Sequence, residues 1–221
     1  FSFGSEEIIK IKDRIGEYYA LIFGMVLGMF FMISAVDLIL IYLSMELMSL
    51  SSYVLSGFTK LRERNSEAAL KYLLYGAISS GLMLFGISLI YGLTGSTNLY
   101  IINSLIQNPH INLFTLAFAC LLIFAGIGYK ISSAPFHFWT PDVYEGAPIT
   151  ITAFLSVASK AAGFALLIRF IRTTFVSYAD ANSMWQLINV FDWKTLLIAI
   201  SILTMTLGNF SALWQNNMKR M

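Results

Sequence analysis

Charge is scarce in this chain. Only 12% of its 221 residues are charged and 57% are hydrophobic, where soluble domains average roughly 25% charged. So little charge leaves the apolar surface no way to hide inside a water-soluble particle of this size, and the solvent must be a bilayer. The other scarcities exclude chemistries. A single cysteine, Cys120, excludes a disulfide framework, a Cys-rich zinc site and a Cys-ligated iron–sulfur cluster within these residues. Two histidines, His110 and His137, supply haem or metal ligation poorly. A net charge of +2, with no basic run interleaved with aromatics, gives nucleic acid nothing to bind. Internal repeats, low-complexity tracts and soluble-domain linkers are missing too. The chain opens on Phe1 with polar residues and shows no signal peptide; a fragment of a longer protein is expected.

Long apolar runs are abundant. A bilayer core of about 30 Å needs roughly 20 apolar helical residues per crossing. Six runs qualify: Tyr18–Val36, Leu38–Phe58, Ala68–Gly92, Leu113–Ala134, Ile149–Ile171 and Thr195–Trp214. A transmembrane barrel would show strands of about ten residues in dyad alternation, and none is present, so helices satisfy the backbone in lipid. The expected fold is an all-α integral membrane protein, a polytopic bundle of about six transmembrane helices. Ala35-Val36-Asp37 reads as a tight corner. Thr94–Asn112, with Gly95, Ser96, Asn98, Asn103, Asn108 and Pro109, reads as a surface loop. Thr173–Asp192 reads as a loop with a short interfacial helix around Met184-Trp185. If each run crosses once, Lys10, Lys12, Arg14, Lys60, Arg62, Arg64, Lys219 and Arg220 fall on one side, and Arg169, Arg172 and Lys194 on the other. Eight against three puts the N-terminal side in the cytoplasm or its equivalent.

The remaining basic residues lie inside the runs. Glu46 sits near the middle of the second, Lys160 near the middle of the fifth, Lys130 late in the fourth and Lys71 early in the third. A central charge costs about 2.5–3.5 kcal/mol on insertion scales, against a gain of about 0.3–0.6 kcal/mol for one Leu, Ile or Phe. Such groups point to a functional path facing the bundle interior or a wet cavity. Helical spacing lines Tyr42, Ser49, Tyr53 and Ser56 up with Glu46, gathers Thr152, Ser156 and Gly163 around Lys160, and puts Tyr75 and Ser79 on the face of Lys71. One reading is a proton or ion path. The plainer one is hydroxyl glue between helices, with Lys71 and Lys130 snorkelling and Glu46 and Lys160 in a structural ion pair. Gly126–Pro148 is rich in Gly, Pro and aromatics. Pro135, preceded by Gly126 and Gly128, predicts a break at the end of the fourth run, of the sort tolerated where it lines a cavity. His137 follows, as a relay or as a hydrogen-bonded interfacial residue. Gly24 and Gly28 have GxxxG spacing, which allows close helix packing.

The strings Met45-Glu46-Leu47-Met48-Ser49-Leu50, Glu67-Ala-Ala-Leu-Lys71-Tyr72, Gly128-Tyr-Lys130, Pro135-Phe-His137-Phe-Trp139-Thr-Pro141-Asp142-Val-Tyr144-Glu145-Gly-Ala-Pro148 and Ser159-Lys160 together resemble the antiporter-like membrane subunits of respiratory complex I, the proton-pumping NADH:quinone oxidoreductase. Within that family they are most similar to the subunit N branch, called subunit 2 in mitochondria. The resemblance runs from about Glu17 to Met221. It implies that Glu46, Lys71, Lys130 and Lys160 serve proton translocation, with Glu46 and Lys71 as partners, and that Tyr42, Ser156 and His137 are relay candidates. It further implies a cytoplasmic-side segment over 1–17, a five-helix antiporter-like repeat with a broken helix over 18–171, a loop over 172–194, and the first helix of a second, incomplete repeat over 195–221. No cofactor is expected in this chain; NADH, FMN, iron–sulfur clusters and quinone would belong to other subunits. The implied partners are the lipid bilayer and other complex I membrane subunits, antiporter-like neighbours and a small subunit K-like chain among them. The implied place is the bacterial inner membrane or the mitochondrial one. An Mrp-type sodium/proton antiporter subunit and a static membrane scaffold are the competing readings.

Overall fold

A computed structural model describes residues 14–59, 63–108, 110–178, 185–188 and 191–220. Its elements are α1 (Ile15–Ser34), α2 (Leu38–Ser56), α3 (Glu63–Thr94), α4 (Leu99–Ile106), α5 (Leu113–Ile131), α6 (Thr140–Gly146), α7 (Ile149–Phe175), β1 (Val176–Tyr178), β2 (Trp185–Leu187) and α8 (Trp193–Leu213). Six of these helices, α1, α2, α3, α5, α7 and α8, are long and apolar enough to cross a membrane. The protein is therefore a multi-pass, all-α membrane protein.

The six runs become helices with shifted ends. The third extends at both ends, to Glu63–Thr94, and the fifth reaches Phe175. Local capping sets several starts. The Asp37 carboxylate accepts from the amides of Ile39 and Leu40 at α2, Asn98 accepts from Tyr100 at α4 and Asn112 from Thr115 at α5, each satisfying an otherwise orphaned donor. Asp192 caps α8, and its bonds from the Thr195 hydroxyl and amide hold its carboxyl below the usual carboxylate range.

Two loop expectations are corrected. The segment expected as a surface loop over Thr94–Asn112 contains α4, whose Leu99, Ile102 and Ile106 are buried. Those apolar residues recur at helical spacing, and their burial outweighs the polar flanks. Of the helix expected around Met184-Trp185, the described part beginning at Trp185 is not helical. Residues 185–187 form β2, antiparallel to β1 with Ser177 opposite Gln186; Met184 lies outside the described residues.

Successive spans alternate in direction, as the hydrogen bonds at each end show. At one end the Tyr18 and Thr150 hydroxyls bond at 2.8 Å and the Tyr18 and Phe58 rings meet edge to face at 5.5 Å. At the other, Leu38 N donates to Thr97 O and Leu99 N to Val36 O, both at 2.9 Å, and Arg169 Nε donates to Ala35 O at 3.1 Å. Arg14, Lys219 and Arg220 belong to the first end, and Arg169, Arg172 and Lys194 to the second; Lys10, Lys12, Lys60 and Arg62 lie outside the described residues. Gly24 and Gly28 pack against α2 of the same chain: a Cβ at Gly28 would sit 2.9 Å from Met48 N. Helices α1, α2, α3, α5 and α7 pack around one core. Helix α8 lies at the edge of this core: Trp193 is its one buried residue among those described, Leu196, Leu197 and Ile200 pack against the core, and Thr204 Oγ1 accepts from Ala134 N at 3.0 Å.

Candidate functional site

Lys130 is the next-to-last residue of α5 and is only 2% exposed. Its Nζ donates to Ser49 Oγ of α2 at 2.9 Å. One turn along α2, the Tyr53 hydroxyl bonds with Ser49 and Tyr129. The Tyr129 hydroxyl in turn donates to Tyr72 O at 2.9 Å. The polar stripe read on α2 is thus a row of linked groups ending on a buried ammonium. Glu46, half-buried on the same helix, lies within electrostatic range of Lys130, Tyr53 and Tyr42. Tyr42 bonds Ser80 of α3, while Ser56 turns back to Tyr53 O at 2.8 Å. Gly76 of α3 leaves room for this row, since a Cβ there would overlap the Tyr53 hydroxyl and lie 3.1 Å from that of Tyr129. Gly76→Ala is expected to displace Tyr53 and cost about 1–3 kcal/mol by overpacking, read as a lower melting temperature of the detergent-solubilised protein.

The predicted break is present. Helix α5 stops at Ile131; Ser132 takes a left-handed cap at φ 58°, and Ser133 N donates back to Gly128 O at 2.9 Å. Pro135 lies exposed in the connection, and the chain becomes helical again at Thr140. Gly126 and Gly128 do not break the helix, contrary to expectation; they lie within α5, where small size permits close packing. A Cβ on Gly126 would come within 2.6 Å of Met83 Cβ, and one on Gly128 within 2.9 Å of Phe136. Trp139 pins the break: its Nε1 donates to Tyr129 O at 3.1 Å and its ring stacks on Tyr72 at 4.5 Å. His137 stacks on Phe138 at 4.8 Å. Its Nδ1, with Ser132 Oγ, Thr140 Oγ1 and the Tyr144 hydroxyl, is buried without a hydrogen-bond partner among the described residues. Such a concentration of unpaired polar atoms suits a polar cavity rather than a dry core.

Lys160 is half-buried, with Nζ 5.7 Å from the centroid of the Tyr144 ring, a cation–π placement. The hydroxyls expected around it serve carbonyls instead: Ser156 donates to Ala153 O at 2.9 Å, and Thr152 to Tyr144 O and Pro148 O. Gly163 brings α7 against α5, where a Cβ would be 2.6 Å from Ile131 and 3.8 Å from Lys130 Cγ.

The expected pairing of Glu46 with Lys71 is not found. Lys71 pairs with Asp142 at 2.7 Å and with Glu67 at 2.8 Å. The register of α2 against α3 explains this. Tyr53 meets Tyr72 at 4.6 Å, and at about 1.5 Å per residue the seven positions from Tyr53 put Glu46 roughly 10 Å deeper. Ser79 of the same face donates to Ala125 O at 3.4 Å, and Tyr75 is exposed. Asp142 also accepts from Arg220 at 2.9 Å, and Arg220 reaches Glu145 at 2.9 Å. Asp142 and Glu145 carry no expected role in the sequence. Their i, i+3 spacing, which places two carboxylates on one helical face, was the available signal. No group of three or more His, Cys, Asp or Glu suited to a metal occurs among the described residues.

A family described as NADH:quinone oxidoreductase/Mrp antiporter, transmembrane, matches residues 35–221. The chain is 54% identical over 221 residues to NADH-quinone oxidoreductase subunit N 2 of Chloroherpeton thalassium, covering 100% of this chain and 42% of that protein. It is 47% identical to NAD(P)H-quinone oxidoreductase subunit 2 of Nostoc punctiforme, covering 96% of this chain and 39% of that one. Among solved structures, respiratory complex I from Thermus thermophilus matches with a TM-score of 0.73 at 35% identity, over 92% of this chain and 41% of the matched one. An archaeal membrane-bound sulfane sulfur reductase matches with the same TM-score, 0.73, at 29% identity, covering 94% and 40%. The chain thus spans about two fifths of the length of the relatives named here, 42% and 39%.

Proposed function

Because this chain belongs to the NADH:quinone oxidoreductase/Mrp antiporter transmembrane family, we propose that it moves protons across an energy-coupling membrane as part of a subunit of NADH:quinone oxidoreductase. Its relatives named NADH-quinone oxidoreductase subunit N favour that assembly over a sodium/proton antiporter. The carrying observation is Lys130, a fully buried lysine whose Nζ donates to Ser49 beside the Tyr53 and Tyr129 hydroxyls. A buried lysine beside a carboxylate can hold or release a proton as its surroundings change. In this reading Lys130 and Lys160 are the exchanging groups, Glu46 biases Lys130, and Tyr42, His137 and Ser156 border the path. Helices α1 to α7 form the antiporter-like repeat, and α8 opens the next one. NADH, flavin, iron–sulfur clusters and quinone are bound by other subunits, the neighbours are antiporter-like and small membrane subunits, and the membrane is the bacterial inner membrane.

Glu46→Gln tests this, because it keeps the size of the side chain and removes its charge. The variant complex, assembled in membrane vesicles, is expected to keep NADH oxidation and to translocate fewer protons per NADH. Unchanged proton translocation would remove the ground for the reading, and sodium-dependent translocation would turn it toward an antiporter.

A further inference from the structure

The family pattern makes Lys71 a proton carrier, yet its surroundings differ from those of Lys130. It lies off the hydroxyl row and is about a third exposed, with its side chain at 38%. Two carboxylates hold it at hydrogen-bonding distance. Lys130 is buried on a hydroxyl, and Lys160 sits over a ring. We infer that Lys71 is a positioning residue: with Arg220 it clamps α6, and through α6 it fixes Tyr144 against Lys160.

Helix α6 needs such a clamp. It has seven residues, fewer than the roughly 12 at which an isolated helix is even marginal in water. No side chain caps its start, and its hydroxyls at Thr140 and Tyr144 find no hydrogen-bond partner among the described residues. One face carries its anchors. Asp142 uses both oxygens, Oδ2 for Lys71 of α3 and Oδ1 for Arg220. Glu145 holds Arg220 through Oε2 and accepts from Asn217 Nδ2 through Oε1 at 3.2 Å. Lys219 Nζ donates to Ala147 O at 3.2 Å, just past the helix. The opposite side of the same two turns carries Tyr144, beneath Lys160. A shift of either anchor therefore moves the ring that faces the lysine. The groups around the clamp line a cavity of about 240 Å³, which leaves space for them to exchange partners. Each pair is partly exposed, so the clamp is adjustable rather than rigid.

The inference rests on the reading of Lys160 as an exchanging group. Arginine decides it, because arginine keeps an ion pair with Asp142 and stays protonated at any accessible pH. In the assembled complex in vesicles, Lys71→Arg is expected to translocate protons per NADH at nearly the unaltered ratio. Lys71→Met is expected to fall roughly fivefold, the population change that goes with losing a partly exposed ion pair. Asp142→Asn should fall at least as far, since it loses Arg220 as well, and the double variant Lys71→Met/Asp142→Asn should fall no further than Asp142→Asn alone, since the Lys71 contact is then already gone. If Lys71→Met does not assemble, the arginine variant alone carries the result. Loss of translocation in an assembled Lys71→Arg complex would overturn the inference and make Lys71 a carrier; additive losses in the double variant would overturn it as well. Glu46→Gln measured in the same vesicles separates the two claims, because normal translocation there defeats the proton-path reading whatever the Lys71 variants do.

Discussion

Lys130→Met is expected to slow proton transfer through this chain about a hundredfold or more, the least that a positioned proton-transferring side chain supplies, and so to lower the protons translocated per NADH while the complex still assembles. Methionine matches the lysine stem in length and leaves only the Ser49 hydroxyl without its donor. Lys130→Arg is expected to fail as well, for two reasons. Arginine does not release its proton, and its larger head must fit a site where the lysine is only 2% exposed. Translocation ratios in reconstituted vesicles check both variants, and an arginine variant that pumps normally would exclude Lys130 as an exchanging group.

Gly126→Val is expected to do the greatest damage to the fold. Helices α3 and α5 approach so closely at this point that even a Cβ would be 2.6 Å from Met83 Cβ and 2.8 Å from its sulfur. Those atoms are next to the α3 backbone, so relief requires the two helices to part, which costs upwards of about 1–3 kcal/mol. Parting them would also strand the hydroxyl row. Helical content and melting temperature in detergent report the loss. Gly81→Ala on α3 is the control: a Cβ there meets nothing within 4 Å, and alanine's better helix propensity, worth about 1 kcal/mol over glycine, should leave the melt unchanged or raise it. A Gly126→Val protein that melts like the unaltered one would show the contact to be loose.

Much of this architecture was legible in the sequence because a bilayer leaves few choices. Runs such as Leu38–Phe58 must be helices, and Pro135 after Lys130 had to disturb one. The buried apolar face of α4 was legible too, in the spacing of Leu99, Ile102 and Ile106, but Asn, Gly and Pro around it carried the stronger local signal. Partners across helices were not legible. Lys71 with Glu67 is an i, i+4 pair that spacing alone gives, whereas Lys71 with Asp142 spans 71 positions. It depends on where α6 lands after the break, which no local pattern fixes. The offset between Glu46 and Lys71 was hidden for the same reason, since it follows from the depth at which Tyr53 meets Tyr72. Glycine signals both flexibility and closeness, and at Gly126 and Gly128 only the presence of Met83 and Phe136 separates the two.

The early stop of α5 has an electrical consequence. A helix that ran on past Ile131 would carry its carbonyl terminus to the membrane boundary, where water neutralises it. Because α5 ends at Ser132 with Lys130 in its last turn, the roughly half-unit of negative charge at a helix C-terminus lies inside the protein beside that ammonium. Backbone dipoles do not titrate. The end of α5 keeps its charge at every pH. The broken helix thereby supplies a constant potential at Lys130.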